Sequence, residues 1–386
     1  MAAAVETNRH LMKAVERLAL ENDSLQAQLR RLKKRLKPQA PPLDGQDAPP
    51  AAAADEEEDA APLGEDWARL RREGAARGWL IPPSQVELGA LLGEGGFGAT
   101  YRGTWRGADC AVKQVRPAAE GGAEAFAREV RSLSLVRHPN VVPLYGACVD
   151  PPSRCWLVCE LLPGGTLAEW LHGARGARRA PARPLALRLR AALDVACGME
   201  ALEQHDPPIL HRDLKPANVL MSRSGRALVA DFGLARVLTP DALVSLTPET
   251  GSYRYMAPEC VRHEAYATQA DVWSWACLCV ETLASAVPYA DRHLTPVQAA
   301  LAVAEGDLRP DIPPACPPAL AEMLRAAFDS DPLNRPSFAV IAAVLRRVLA
   351  EQEGKEAAAG GGAAGVAAAW QRWMHPRGAA EGEAAG

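Results

Sequence analysis

The chain has 386 residues, 48% of them hydrophobic and 23% charged, with a formal net charge of −4. That length suits one large domain with appendages or two domains, with enough apolar content for a buried core. A charge balance this close to neutral excludes a bulk electrostatic attraction to nucleic acid or to a membrane surface. Nine cysteines lie scattered through apolar segments without a C-x-x-C pair, which reads as buried reduced thiols and not as metal ligands. The first ten residues carry Glu6 and Arg9 and lack the apolar core of a signal peptide. No stretch approaches the roughly 18 uninterrupted apolar residues of a membrane helix. The expectation is a soluble, cytoplasmic protein with the nucleus left open, and with neither a nucleic-acid nor a membrane partner.

Leu11, Leu18, Leu25 and Leu32 recur every seven residues, and Val15, Asn22, Leu29 and Leu36 follow each by four. This is a paired heptad seam, and a lone Asn22 inside it favours a parallel dimer over a single amphipathic helix lying on a domain. Residues 8–37 are therefore predicted to form a coiled-coil dimerisation helix. The flanking positions carry few complementary charges, so a homodimer is the default partner. From 38 to 66 the composition collapses to Pro, Ala, Asp and Glu, including Asp55-Glu56-Glu57-Glu58-Asp59. Such a segment has too little apolar area to offset ordering and is predicted to be an acidic, disordered linker. Order is expected to resume at Trp67 and Trp79. From Val86 to about Ala350 short β-rich segments give way to helical ones, and residues 351–386 are a Gly/Ala-rich tail interrupted by Trp370 and Trp373.

Gly93-Glu94-Gly95-Gly96-Phe97-Gly98 opens the ordered region, between two β-type runs. Glycines let a backbone approach phosphate oxygens closely. The run that follows, Cys110-Ala111-Val112-Lys113, is a strand and not a helix, which disfavours a dinucleotide fold. Seven of the 43 basic residues are lysines, and between 38 and 350 the only two are Lys113 and Lys215. A chain so committed to arginine retains lysine where a compact point charge is needed. Glu129 lies beside the apolar face of the helical pattern Phe126, Val130, Leu133, able to pair with Lys113. Further on, His211-Arg212-Asp213-Leu214-Lys215-Pro216-Ala217-Asn218 gathers a carboxylate, an ammonium and a carboxamide at fixed offsets. That set suits phosphoryl transfer, in which a carboxylate accepts a hydroxyl proton while cations hold a phosphate. Asp231-Phe232-Gly233 offers a hard oxygen ligand for Mg²⁺, with Asn218 as a neutral one, and Ala257-Pro258-Glu259 follows 25 residues later.

Taken in order and at these separations, the motifs resemble the eukaryotic protein kinases over about residues 86–350. The resemblance implies an α+β bilobal kinase fold, with a small β-rich lobe carrying one regulatory helix, a larger helical lobe, and ATP between them. It implies Asp213 as catalytic base, Lys215 as the cation on the γ-phosphate, Lys113 with Glu129 as the phosphate-positioning pair, and Asn218 and Asp231 as ligands of Mg²⁺, with Mn²⁺ an alternative. Gly93, Gly95 and Gly98 would cover the phosphates. Thr100, Ala111, Cys159, Glu160, Leu162 and Leu220 would line the rest of the nucleotide site. Glu259 is expected to pair with Arg335, Asp271 to support the catalytic loop, and Leu133, Leu144, Phe232 and His211 to stack in one column.

Two residues depart from the family's habit: Thr100 replaces a valine, and Cys159 is a small gatekeeper whose thiol offers a covalent handle unless burial makes it inert. Lys215-Pro216 and Gly251-Ser252-Tyr253 resemble serine/threonine kinases. Arg137-His138-Pro139-Asn140, the Pro163–Leu167 turn and Ser252–Met256 resemble the tyrosine-kinase-like group, Raf-like type. A protein hydroxyl is the implied substrate. Arg212 is expected to face an activation segment in which phosphate on Thr239, Ser245, Thr247 or Thr250 orders the loop, with the dimer promoting that reaction between subunits. Gly173 to Pro184 reads as a surface loop. The rival reading is a coiled-coil scaffold presenting a silent kinase fold, with dual or tyrosine specificity a further alternative.

Overall fold

The computed structural model describes residues 65–95, 98–115, 122–151, 154–173, 183–238, 252–306 and 308–358. The coiled-coil segment, the linker up to residue 64, Thr239, Ser245, Thr247, Thr250, residues 174–182, Trp370 and Trp373 lie outside the described residues.

The first helix, α1 (Glu65–Arg77), begins two residues inside the expected linker. Glu65 and Asp66 sit in its first turn and Arg77 in its last, the arrangement the helix dipole favours. Gly78 ends it at φ +75°, a left-handed residue that glycine adopts without strain. The chain then doubles back: Trp79 and Leu80 donate to the carbonyl of Gly74 at 3.1 and 3.2 Å. The Trp79 ring lies so close to Gly74 that a Cβ there would sit 2.6 Å from it. Gly74 is the residue that lets this turn close.

Five antiparallel strands follow, β1 (Val86–Gly95), β2 (Gly98–Trp105), β3 (Ala108–Val115), β4 (Leu144–Asp150) and β5 (Arg154–Glu160), in the order β1-β2-β3-β5-β4. Side chains alternate across this sheet. Cys110, Val112, Cys148, Trp156 and Val158 build an apolar cluster on one face. Ala147, Val149, Cys155 and Leu157 pack on the other with Leu70 of α1 and with Phe126 and Val130 of α2 (Gly122–Leu135).

The second lobe is helical: α3 (Leu167–His172), α4 (Leu185–Glu203), α5 (Pro258–Val261), α6 (Gln269–Ala284), α7 (Pro296–Glu305), α8 (Pro318–Ala327) and α9 (Phe338–Ala358). Thr166 caps α3 in a reciprocal box with Glu169, which fixes where the chain enters this lobe. Fourteen of the 16 residues of α6 are buried, as expected of a helix that is apolar all round. α4 packs against both α6 and α9. Two short antiparallel pairs, β6 (Ile209–Leu210) with β9 (Arg236–Val237) and the hairpin β7 (Val219–Met221) with β8 (Ala227–Val229), flank the 211–218 loop and the Asp231-Phe232-Gly233 turn. The largest apolar cluster belongs to this lobe and also includes Leu133 and Val136, joining α2 to it.

Candidate active site

The upper wall of the cleft comes from β1, β2 and β3. Gly95 pairs with Gly98 and Gly93 with Thr100, and Thr100 in turn with Lys113 on β3. Gly98 has φ +145°, and a Cβ there would fall 1.9 Å from the Gln114 carbonyl oxygen. The tight return of β2 over β3 therefore requires glycine. Around Gly93 nothing lies within 4 Å of such a Cβ, so its backbone is open to a ligand.

Lys113 lies at the centre of the first ionic cluster. Its Nζ donates to Glu129 Oε1 at 2.5 Å and to Asp231 Oδ1 at 2.7 Å. Glu129 is buried. Burial works to lower the Lys113 pKa, but the Glu129 and Asp231 carboxylates outweigh it and raise it above the ordinary lysine value. Burial likewise pushes the Asp231 carboxyl up, and the Lys113 ammonium reverses this and holds it below the ordinary carboxylate value. Both groups are thus held in their charged forms. Asp231 takes φ +62°, an uncommon conformation for a residue with a Cβ. The ion pair with Lys113 and the buried Phe232 beside it hold that geometry in place.

The second cluster is built on the 211–218 loop. Asp213 Oδ2 accepts from Lys215 Nζ at 2.7 Å and from Asn218 Nδ2 at 2.8 Å. A single 3-10 turn, Pro216–Asn218, returns Asn218 beneath the aspartate, and its Nδ2 also reaches the Asp213 carbonyl at 2.8 Å. Ser252 completes the cluster, donating to Asp213 Oδ1 at 3.0 Å and accepting from Lys215 Nζ at 2.6 Å. Sequence reading used Ser252 only as part of a group marker. Nothing in local spacing signals a bond to a residue 39 positions away.

Beneath the loop, the buried Asp271 accepts the backbone N–H groups of His211 and Arg212 at 2.7 and 2.9 Å. Arg212 has φ +72°, so this carboxylate fastens the loop where its backbone is strained. The N–H of Asp213 points to His211 Nδ1 at 3.3 Å, and His211 Nε2 bonds the Ala230 carbonyl at 3.0 Å. The His211 and Phe232 rings meet edge to face at 5.1 Å. Phe232 and Leu133 belong to the large apolar cluster of the helical lobe, against which Leu144 packs. Glu259 and Arg335 form a buried bidentate pair at 2.6 and 2.8 Å.

Cys159 pairs with Ala111 across β5 and β3, and Glu160 with Cys110. Cys159 and Leu220 pack on the small cluster that contains Leu162. The apolar positions expected at the nucleotide site thus come together from strands β3, β5 and β7. Burial pushes the Cys159 thiol up to about 12, so the thiol is protonated and poorly nucleophilic near neutrality. The Arg212 guanidinium lies 5.9 Å from the Tyr266 ring and 3.4 Å from the Leu234 carbonyl oxygen, in the segment that leads into β9.

Two lobes meeting at a cleft with these two ionic clusters define the protein kinase fold. The chain belongs to the protein tyrosine and serine/threonine kinase family, whose model matches residues 86–345. It is 38% identical over 282 residues to serine/threonine-protein kinase STY46 of Arabidopsis thaliana, covering 72% of this chain and 47% of that one. It is 36% identical over 282 residues to the probable serine/threonine-protein kinase drkD of Dictyostelium discoideum, covering 72% and 21%. Mitogen-activated protein kinase kinase kinase 10 of Homo sapiens is 37% identical over 274 residues, covering 68% and 27%. The chain thus spans about half the length of the Arabidopsis relative and less of the others. These relatives bear out the resemblance to the tyrosine-kinase-like group, Raf-like type. No helix among the described residues is long and apolar enough to cross a membrane.

Proposed function

We propose that the chain is an ATP-dependent protein kinase that transfers the γ-phosphoryl group to serine and threonine hydroxyls, with Mg²⁺ as its metal and Mn²⁺ as an alternative. The observation that carries this is the pre-assembled cluster of Asp213, Lys215, Asn218 and Ser252. Asp213 is the acceptor of the substrate hydroxyl proton. One of its oxygens is held by Lys215 and Asn218 and the other by Ser252, so its orientation costs nothing at the moment of reaction. Lys215 supplies the positive charge for the transferring phosphoryl group. Lys113, fixed by Glu129, holds the phosphates of ATP under the strand-turn glycines Gly93, Gly95 and Gly98, and Thr100, Ala111, Cys159, Glu160, Leu162 and Leu220 receive the base.

The donor set also fits a hard divalent cation. Asn218 donates through Nδ2 to Asp213, which leaves its carboxamide oxygen as a neutral ligand, and Asp231 is held anionic. When bound, the cation neutralises charge on the phosphate oxygens. The serine/threonine preference is supported by the names of the relatives and by the contact of Lys215 with Ser252.

The substrate is a protein, and the setting is signalling in the cytoplasm. Residues 8–37 serve as a homodimerising helix and the residues from 38 up to α1 as a linker to the catalytic domain at 86–350; α9 continues to Ala358, so the tail expected over 351–386 starts beyond that helix. Phosphate on Thr239, Ser245, Thr247 or Thr250 would pair with Arg212, whose backbone is already anchored by Asp271. The test is γ-phosphate transfer to a generic basic protein, with Asp213→Asn as control and phosphoamino-acid analysis of the product. Equal transfer by both proteins sinks the kinase reading, and phosphotyrosine as the main product sinks the serine/threonine preference.

A further inference from the structure

Helix α1 lies outside the stretch matched to the family, which begins at residue 86, yet it is packed on the helix that carries Glu129. Leu70 of α1 is 1% exposed and shares an apolar cluster with Phe126, Ala127 and Val130 of α2. Trp67 meets Phe126 with ring centroids 5.9 Å apart. Beside these apolar contacts, Arg131 of α2 grips Glu73 of α1 in a bidentate pair, with Nε 3.0 Å from both carboxylate oxygens and Nη2 2.5 Å from Oε2. The Arg131 bond holds the Glu73 carboxyl below the ordinary carboxylate value, as a genuine ion pair would.

The placement of that pair on α2 is what gives it a function. Residues two apart on a helix point about 200° away from each other, so Glu129 and Arg131 leave opposite edges of the apolar face made by Phe126 and Val130. One edge is tied to Lys113 in the cleft and the other to α1. A helix held by one edge and a greasy face can still roll about its axis. Held by both edges, it cannot roll without breaking an ion pair.

We infer that α1 is part of the machinery of the nucleotide site, and that Glu73 is a positioning residue which, through Arg131, fixes the rotation of α2 that puts Glu129 on Lys113. This rests on the kinase reading above and extends the functional unit upstream of residue 86 to Glu65.

The experiment compares the full chain with Glu73→Arg, Arg131→Glu and the double exchange Glu73→Arg/Arg131→Glu. Affinity for ATP is read by calorimetry, KM for ATP and kcat by transfer to a basic protein, and folding by thermal unfolding. Both residues are partly exposed, so the single variants are expected to fold with little change in midpoint. Each single variant should bind ATP and turn over about ten-fold less well, the size of one lost charge-assisted bidentate contact. The double exchange should return both values to within about three-fold of the unaltered chain. Unchanged ATP affinity in Glu73→Arg overturns the inference, and so does a folded double exchange that remains as impaired as the single variants. Absence of transfer by the unaltered chain would instead count against the kinase reading, and the ATP affinities would still decide the role of Glu73.

Discussion

Ser252→Ala isolates the contribution of a residue whose place at the site the sequence did not announce. The substitution removes a bond donated to Asp213 Oδ1 at 3.0 Å and one accepted from Lys215 Nζ at 2.6 Å. Hydrogen bonds to charged groups are worth about 1.5–3 kcal/mol each. The two losses do not add, because Asp213 keeps Lys215 and Asn218 on its other oxygen, so the aspartate loses orientation and not its charge balance. A net loss of about 1.5–3 kcal/mol in the transition state corresponds to a fall in kcat of about 10- to 100-fold. Because the bonds act on Asp213, the proposed proton acceptor, KM for ATP should change by less than about two-fold. Ser252→Thr keeps the hydroxyl and should retain most activity. The assay is steady-state phosphoryl transfer over a range of ATP concentrations. A Ser252→Ala protein within two-fold of the unaltered kcat would refute the assignment, as would a loss that falls on KM alone.

Glu259→Ala should cost about 3–5 kcal/mol in urea unfolding, since it leaves the Arg335 guanidinium buried without its carboxylate; a loss under about 1 kcal/mol would contradict this. Cys159 should resist a haloacetamide in the folded protein at neutral pH and react once the chain is unfolded, because a thiol pushed up to about 12 has about a thousandth of the usual thiolate; mass spectrometry of the labelled peptides checks this. Asp194 on α4 accepts the N–H of Ala227 at 2.9 Å, and burial pushes its carboxyl from 3.8 to about 6. The folded chain then holds this proton more tightly than the unfolded chain. Its contribution to stability therefore falls as pH rises from about 4 to about 6 and is level above that, by at most about 3 kcal/mol. Asp194→Asn should flatten that part of the profile in urea unfolding between about pH 4 and pH 6, and an unchanged slope would refute the assignment.

The catalytic loop, the two lysines and the aspartate of Asp231-Phe232-Gly233 were legible because their chemistry is written in residue type and in short fixed offsets. Lys113 stood out for a compositional reason, as one of two lysines in a long arginine-rich region. Its pairing with Glu129 was expected because Glu129 sits beside the apolar face of the helical pattern Phe126, Val130, Leu133, and the structure realises it at 2.5 Å. The bilobal fold was implied by the resemblance that those motifs carry to the protein kinases. Side-chain type and local period are properties of a few consecutive residues, so they survive in the one-dimensional string.

What only the tertiary structure decided lies across long separations. Ser252 reaches Asp213, Asp271 holds the strained backbone at Arg212, and Glu73 grips Arg131 across 58 residues. α1 itself was read as the end of a linker and a stretch of returning order, because its mean composition is polar and its one fully buried leucine, Leu70, gives no period by itself. The helix gains its stability from the apolar face of α2 and not from its own sequence, as short helices generally do. Burial likewise belongs to the fold: a cysteine at the back of the cleft is a reactive handle or an inert thiol according to what surrounds it, and only the packed structure sets Cys159 at about 12. Residue type and order placed the charges of the two clusters; the packing of α1 on α2 decided what else grips the helix that carries Glu129.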